Sequence, residues 1–183
     1  MRGHTLEAIC QEKDLGVIID ETLKFHVHTA ATDKKGNQML DVIKKAYSTR
    51  DALTIPILYK AMVWPVLEYG NVIWGPHYKM GMRSIESVQR RATKLIPELH
   101  DKSYEERLQQ LSLPSLVYRR RRGDIIVMYK IMKGLVRVDL KELFNPMEFT
   151  KTQGYQFRVH KGKAIKTQRS TSFSQRVIND YLC

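Results

Sequence analysis

The chain has 183 residues, 43% of them hydrophobic, and a formal net charge of +12. This suffices for one domain, or a compact domain with a tail, and excludes a chain disordered throughout. No apolar run reaches the roughly 20 residues of a membrane span, the opening "MRGHTLEAICQEKD" lacks the apolar centre of a secretory signal, and Cys10 and Cys183, near opposite ends, form neither a disulfide framework nor a zinc site, so an intracellular setting, nucleus or cytoplasm, is expected.

The first twenty residues read as strands. "HTLEAIC" alternates and "DLGVIID" is a short β-branched run, with polar "QEKD" joining them as a hairpin. Gly16 predicts a bulge or a close backbone approach. Over residues 27–47 the period turns helical, with Val27, Ala30, Ala31, Leu40, Ile43 and Tyr47 on the apolar side. Gly36 sits within that pattern at a cost of about 1 kcal/mol against Ala.

Asp51 or Thr54 is placed to cap the next helix. "IPILYKAMVWPVLEYGNVIW" is apolar on nearly every side and reads as the central buried element, kinked or ended at Pro65, which lacks an N–H. "YGNVIWGP" suggests a loop or short strand. Ile85, Val88, Ala92 and Leu95 then make a stripe at helical spacing, with Arg83, Arg90, Arg91 and Lys94 mostly off it, and the helix stops before Pro97. Ser103 and Glu106 form a capping box for a short helix through Leu108 and Leu111.

After the break at "LPSL" a helix begins near Ser115. It carries "RRRRGDIIVMYKIM", four arginines before an apolar run. Tyr118, Ile125, Tyr129, Met132 and Val136 fall on one face, expected to be the buried one. Four residues in a row sweep about 300° of a helix, so the arginines cannot all share a side. Arg122 lands on the apolar stripe and must snorkel or meet a carboxylate; Arg119, Arg120 and Arg121 fan around the rest. A merely solvated helix start does not require arginine, whose planar fork suits phosphate.

Charge is uneven along the chain. Residues 1–110 hold 16 Lys+Arg against 14 Asp+Glu, and residues 111–183 hold 15 against 5. Residues 149–179 contain no acid but seven bases, Lys151, Arg158, Lys161, Lys163, Lys166, Arg169 and Arg176. "YQFRVH" alternates, "KGK" offers a hairpin turn, and "RSTSFSQRVIND" offers caps and a terminal helix. A flexible tail is the other reading of this stretch. The asymmetry predicts a polyanionic partner, nucleic acid before membrane. A polymerase or nuclease needs clustered carboxylates for metal ions. No Asp-Asp pair is present; Asp20–Glu21 reads as turn acids, and His26 and His28, two apart on a helix, point apart. No phosphate loop or nucleophile grouping is found, so no catalytic or metal residue is assigned.

"KDLGVIIDETLKFHVH", "LYKAMVWPVLEYGNVIW", "SIESVQRRATKLI", "SYEERLQQLSLPSLVYRRRRGDIIVMYKI" and "FSQRVIND" occur in this order over nearly the whole chain. Together they resemble the C-terminal part, beyond the catalytic palm, of reverse transcriptases from non-LTR (LINE, jockey-like) retrotransposons. Trp64 stands where that family often has Arg, Gly36 where it usually has Ala, and "DYLC" replaces the family's Trp-Asn-x-Leu-Pro kind of ending.

The resemblance implies a mainly α fold: a primer-grip-like β-hairpin over 1–24, a helical thumb-like bundle over 25–145, and a basic extension over 146–183, expected to be partly disordered. It implies RNA-directed DNA polymerisation for the full protein and contact with an RNA or DNA template–primer for this portion. Magnesium would belong to the missing palm, itself a possible partner. Leu15, Gly16 and Val17 would position the primer end. Arg90, Arg91, Lys94, Arg119, Arg120, Arg121 and Arg122 would neutralise backbone phosphates, with Arg158, Lys161 and Lys163 from the extension. The alternative is a catalytically inert helical protein-interaction module or degenerate transposon remnant, its arginines tied up in salt bridges.

Overall fold

The computed structural model describes residues 9–146 and 159–181. It is mainly helical, with a short antiparallel hairpin at its N-terminal end. Strands β1 (Gln11–Asp14) and β2 (Val17–Asp20) pair Gln11 with Asp20 and Asp14 with Val17. The turn is therefore Leu15–Gly16, both at positive φ, 44° and 87°, as a tight two-residue hairpin turn requires. "QEKD" is a strand, not the expected connector. All four of its side chains are exposed, so the ribbon edge needs no apolar alternation. Gly16 supplies the turn rather than a bulge. Residues 4–8 of the expected first strand lie outside the described residues.

Asp20 organises the exit from the hairpin. Its carboxylate accepts the backbone N–H groups of Thr22 (3.0 Å), Lys24 (3.3 Å) and Phe25 (2.8 Å), and the Thr22 hydroxyl. Burial pushes its pKa up, but these bonds together outweigh burial and leave it below the usual value. Helix α1 (His26–Ala46) follows at once. Its buried residues are His28, Thr29, Thr32, Gly36, Leu40 and Ile43. Of the expected stripe, Leu40 and Ile43 are buried, whereas Val27, Ala30, Ala31 and Tyr47 are exposed. The inward face is polar and small at its start because the hairpin and a second helix crowd it there.

The apolar "IPILYKAMVWPVLE" is a continuous helical rod: α2 (Thr54–Leu58), a π-helical turn (Tyr59–Val63) and α3 (Trp64–Glu68). The Asp51 carboxylate receives the N–H groups of Leu53 and Thr54 at its start. Trp64 donates its N–H five residues back, to Tyr59. The wider turn precedes Pro65 and takes up the misfit that a ring without an N–H imposes on the ladder. Glycine 70 then turns left-handed, φ 64°, and α4 (Asn71–Trp74) is a short helix where a loop or strand was expected.

Helix α5 (Lys79–Thr93) buries Ile85, Val88 and Ala92 as the spacing predicts. A 3-10 turn (Pro97–Leu99) leads to α6 (Tyr104–Gln110), whose Ser103/Glu106 capping box is fully formed. Helix α7 (Leu116–Met132) is capped by the Ser115 hydroxyl, which accepts the Tyr118 N–H at 3.2 Å. After the short α8 (Leu140–Leu143), β3 (Asn145–Pro146) pairs antiparallel with β4 (Val159–His160). No hairpin turns at "KGK": His160 pairs back to Asn145, and the chain runs on to α9 (Thr167–Ser170) and α10 (Phe173–Tyr181). Tyr155 and Phe157 of the expected alternating run lie outside the described residues.

The main core joins Leu40 and Ile43 of α1, Ile55, Tyr59, Val63 and Leu67 of the rod, Ile85, Val88 and Ala92 of α5, and Leu116 at the head of α7. A second cluster joins Met128 and Ile131 of α7, Phe144, Val159, and Val177 and Ile178 of α10. The described part of the basic stretch is thus anchored by its own apolar residues. Gly36 lies where α1 crosses its neighbours: a Cβ there would come within 2.7 Å of Leu67 Cδ2 and 3.2 Å of Val88 Cγ1.

The buried face of α7 is not the predicted one. Leu116, Arg120, Asp124, Met128 and Ile131 point inward, and Tyr118, Ile125, Tyr129 and Val136 are exposed. Arg122 does lie between Tyr118 and Ile125, but on a face open to solvent, where it needs neither snorkelling nor a carboxylate. The stripe is real but faces solvent, because the buried Asp124–Arg176 ion pair compensates a charge on the inward side.

Candidate nucleic-acid interface

Arg90, Arg91 and Lys94 at the end of α5 are all exposed. Arg83 is exposed seven residues before Arg90, so Arg83, Arg90 and Lys94 share one helical face within about 20–40° of each other. The i, i+7, i+11 spacing is the sequence signal for this row; a position off the apolar stripe does not by itself single out Arg83. The row is braced from its own side: the Arg90 guanidinium sits 4.2 Å from the centre of the Tyr104 ring, and Arg91 donates to the Ser87 hydroxyl at 3.3 Å.

The inner side of α5 fixes that row against α7. Glu86 is buried; its carboxylate accepts the Tyr104 hydroxyl at 2.5 Å and the Leu116 N–H at 3.1 and 3.3 Å. It thereby meets the first amide of α7, where the helix field favours a negative charge. Gln89 accepts from Tyr59 (3.0 Å) and Trp64 (3.3 Å) and donates to Tyr104 (3.1 Å) and the Pro114 carbonyl (3.0 Å). Burial, then the bond to Glu86, pushes the Tyr104 pKa up, so this hydroxyl stays a donor. Neither Glu86 nor Gln89 was singled out from sequence. Their signal was position: both lie among Ile85, Val88 and Ala92, on the face that packs.

The four arginines of α7 have four different fates. Arg119 grips Glu68 in a two-bond fork, 2.5 and 2.7 Å, and lies 3.7 Å from the centre of the Trp64 ring. The bond to Glu68 holds its pKa above the usual arginine value. Arg120 is 7% exposed, and its two terminal nitrogens have no hydrogen-bond partner among the described residues. Burial pulls its pKa down against the opposing pull of Glu86, Glu68 and Asp124. Arg121 and Arg122 are exposed, Arg121 lying 3.6 Å from Asp180. Lys161 and Lys163 are exposed between β4 and α9, and Arg158 lies outside the described residues.

At the hairpin, Leu15 and Gly16 are exposed and Val17 is buried. The Leu15 carbonyl accepts the Tyr69 hydroxyl at 2.9 Å, and the Ile18 N–H donates to His28 Nδ1 at 3.2 Å. A cleft of about 400 Å³ opens between hairpin and α1, with Lys13, Lys35, His28 and Tyr69 in its lining. His26 stacks on Tyr78 while His28 meets the edge of Trp74, so the two histidines share no ligand. Among the described residues no three His, Cys, Asp or Glu side chains gather where they could hold a metal ion. Among them, too, no helix is long and apolar enough to cross a membrane.

Over 101 residues the chain is 28% identical to the "Probable RNA-directed DNA polymerase from transposon BS" of Drosophila melanogaster. The matched stretch is 54% of this chain and 11% of that protein, so the chain spans only a small fraction of its relative's length. The similarity supports a relation to transposon RNA-directed DNA polymerases. No family model matches, and no solved structure matches.

Proposed function

We propose that this chain is the thumb-like part of a non-LTR retrotransposon RNA-directed DNA polymerase that follows the palm, and that it holds the backbone of the template–primer. The likeness to a transposon polymerase carries this reading. The exposed row Arg83, Arg90 and Lys94, with Arg91 beside it, then serves as the main phosphate grip, on a helix braced by Glu86, Gln89 and Tyr104. Lys161 and Lys163 add to it. Arg119 and Arg120 act from within, setting α7 rather than touching phosphate. The hairpin turn Leu15–Gly16 and the cleft with Lys13 and Lys35 beside it receive the primer end. Base sequence is not read, because phosphate contacts position without specifying. On this reading the carboxylates for nucleotide addition would belong to the palm.

Filter binding of the chain to a primer–template duplex between about 50 and 200 mM salt tests this. The four cations of α5 predict a slope of about −3.6 in log K against log salt, steeper with Lys161 and Lys163. The triple variant Arg90→Ala, Arg91→Ala, Lys94→Ala should flatten that slope by about 2 to 3. Affinity independent of salt, or a triple variant that binds like the parent, contradicts the proposal and favours a protein-interaction module.

A further inference from the structure

Helix α7 is inside out. Its buried side carries Arg120 and Asp124, and its solvent side carries Tyr118, Ile125, Ile126 and Tyr129. Tyr118 is 60% and Tyr129 49% exposed. Between and beside them stand Arg121, Arg122, Lys130 and Lys133. Tyr118, Arg122, Ile125, Tyr129 and Lys133 succeed one another at spacings of four, three, four and four, so they form one row directly opposite the core. Lys133 lies 5.9 Å from the Tyr129 ring centre. Within α7 the sole acid is Asp124, which is buried and bound to Arg176. Arg122 and Lys130 pair with no carboxylate among the described residues.

An ordinary solvated face has no reason to hold two exposed tyrosines and two exposed isoleucines. A protein-docking face has no reason to interleave them with four cations and no acid of its own; the acid 3.6 Å from Arg121, Asp180, comes from α10. Both features suit one occupant, an unpaired nucleic-acid strand. Its bases offer flat apolar faces for the rings and its phosphates match the cations. A duplex would offer the phosphates but keep its bases stacked away from the tyrosines. We infer that the outer face of α7 binds single-stranded RNA or DNA, with Tyr118 and Tyr129 stacking on bases and Arg122 and Lys130 meeting the backbone. The tyrosines are eleven residues apart, about 16 Å along the helix. That spans roughly five nucleotides at the 3.4 Å rise of a stacked strand. This surface differs in residues and in ligand from the α5 row proposed for duplex.

Fluorescence anisotropy with the full chain and labelled homopolymeric strands of about 12 nucleotides, one RNA and one DNA, tests the inference. A blunt duplex is measured in parallel. Tyr118→Ala and Tyr129→Ala should each weaken single-strand binding about tenfold and leave duplex binding unchanged. Tyr118→Leu/Tyr129→Leu keeps apolar bulk but not the flat ring, and should lose most of the same affinity with an unchanged melting temperature. The α5 triple variant should do the reverse, losing duplex and keeping single strand, so the two surfaces fail separately. Single-strand affinity that is absent in the parent, or untouched by the tyrosine pair, overturns the proposal. Loss of self-association in the Ala pair, with single-strand binding intact, reassigns the face to protein.

Discussion

Arg176 of α10 holds Asp124 of α7 across fifty-two residues of chain, with two bonds of 2.8 and 3.1 Å. The same guanidinium donates to the carbonyls of Asn71 and Val72, closing the end of α4. One arginine thus ties the C-terminal helix, α7 and the "YGNV" turn together. Removing the carboxylate leaves a buried cation with only carbonyl partners. Asp124→Ala should therefore destabilise by about 3 kcal/mol, measured by urea unfolding. Arg176→Ala should cost a similar amount, and the double variant much less than the sum. Additive losses would show that the pair is not coupled.

Gly36 offers a sign that sequence alone gets wrong. Helix propensity says alanine there gains about 1 kcal/mol. The packing says otherwise, since a Cβ would meet Leu67 Cδ2 at 2.7 Å and Val88 Cγ1 at 3.2 Å. Both side chains are fully buried and cannot swing clear. Overpacking costs about 1–3 kcal/mol, so Gly36→Ala should destabilise by about 1 kcal/mol net. A raised melting temperature in that variant would mean that α1 shifts freely over the rod.

These two cases mark what the sequence discloses. The capping box at Ser103, the α5 stripe, the start of α7 near Ser115 and the terminal helix were legible because each depends on neighbours three or four residues away. The hairpin register was not, because "QEKD" pairs across a ribbon whose polar residues carry no pattern, and the turn rests on a leucine at positive φ. The row Arg90, Arg91 and Lys94 was legible as off-stripe residues of α5. The fates of Arg119 and Arg120 were not. The partners of Arg119, Glu68 and Trp64, and the buried Asp124–Arg176 pair near Arg120, come from distant segments. An apolar stripe with an arginine in it looks inward by composition, and distant partners decided otherwise.

His28 predicts an acid-sensitive hairpin. Its Nδ1 accepts the Ile18 N–H, a role that only neutral imidazole can fill. Burial holds its pKa below the usual 6.5. The unfolded chain therefore takes up the proton first, so this stability is intact above about pH 6.5 and is lost as pH falls through the folded value. His77, lowered by burial and by His26 and Arg176, adds in the same direction. Urea midpoints should fall between about pH 7 and pH 5. His28→Asn, which keeps an acceptor but does not titrate, should flatten that fall. An unchanged pH profile in this variant would move the sensitivity elsewhere.

Arg120 and Arg122 lie two residues apart and should behave oppositely. The stem of Arg120 fills space beside the core, and its terminal nitrogens bond to nothing among the described residues. Arg120→Ala leaves a cavity and should destabilise by about 2–3 kcal/mol. Arg120→Met refills that space without a buried charge, and should recover most of the loss. Arg122 is exposed on the outer row, so Arg122→Ala should move stability by less than about 0.5 kcal/mol. It should nevertheless reduce the salt slope of single-strand binding by about 0.7. Unfolding and anisotropy on the same three variants check both halves: equal effects of Arg120→Ala and Arg122→Ala on stability would contradict the inward and outward faces assigned to α7.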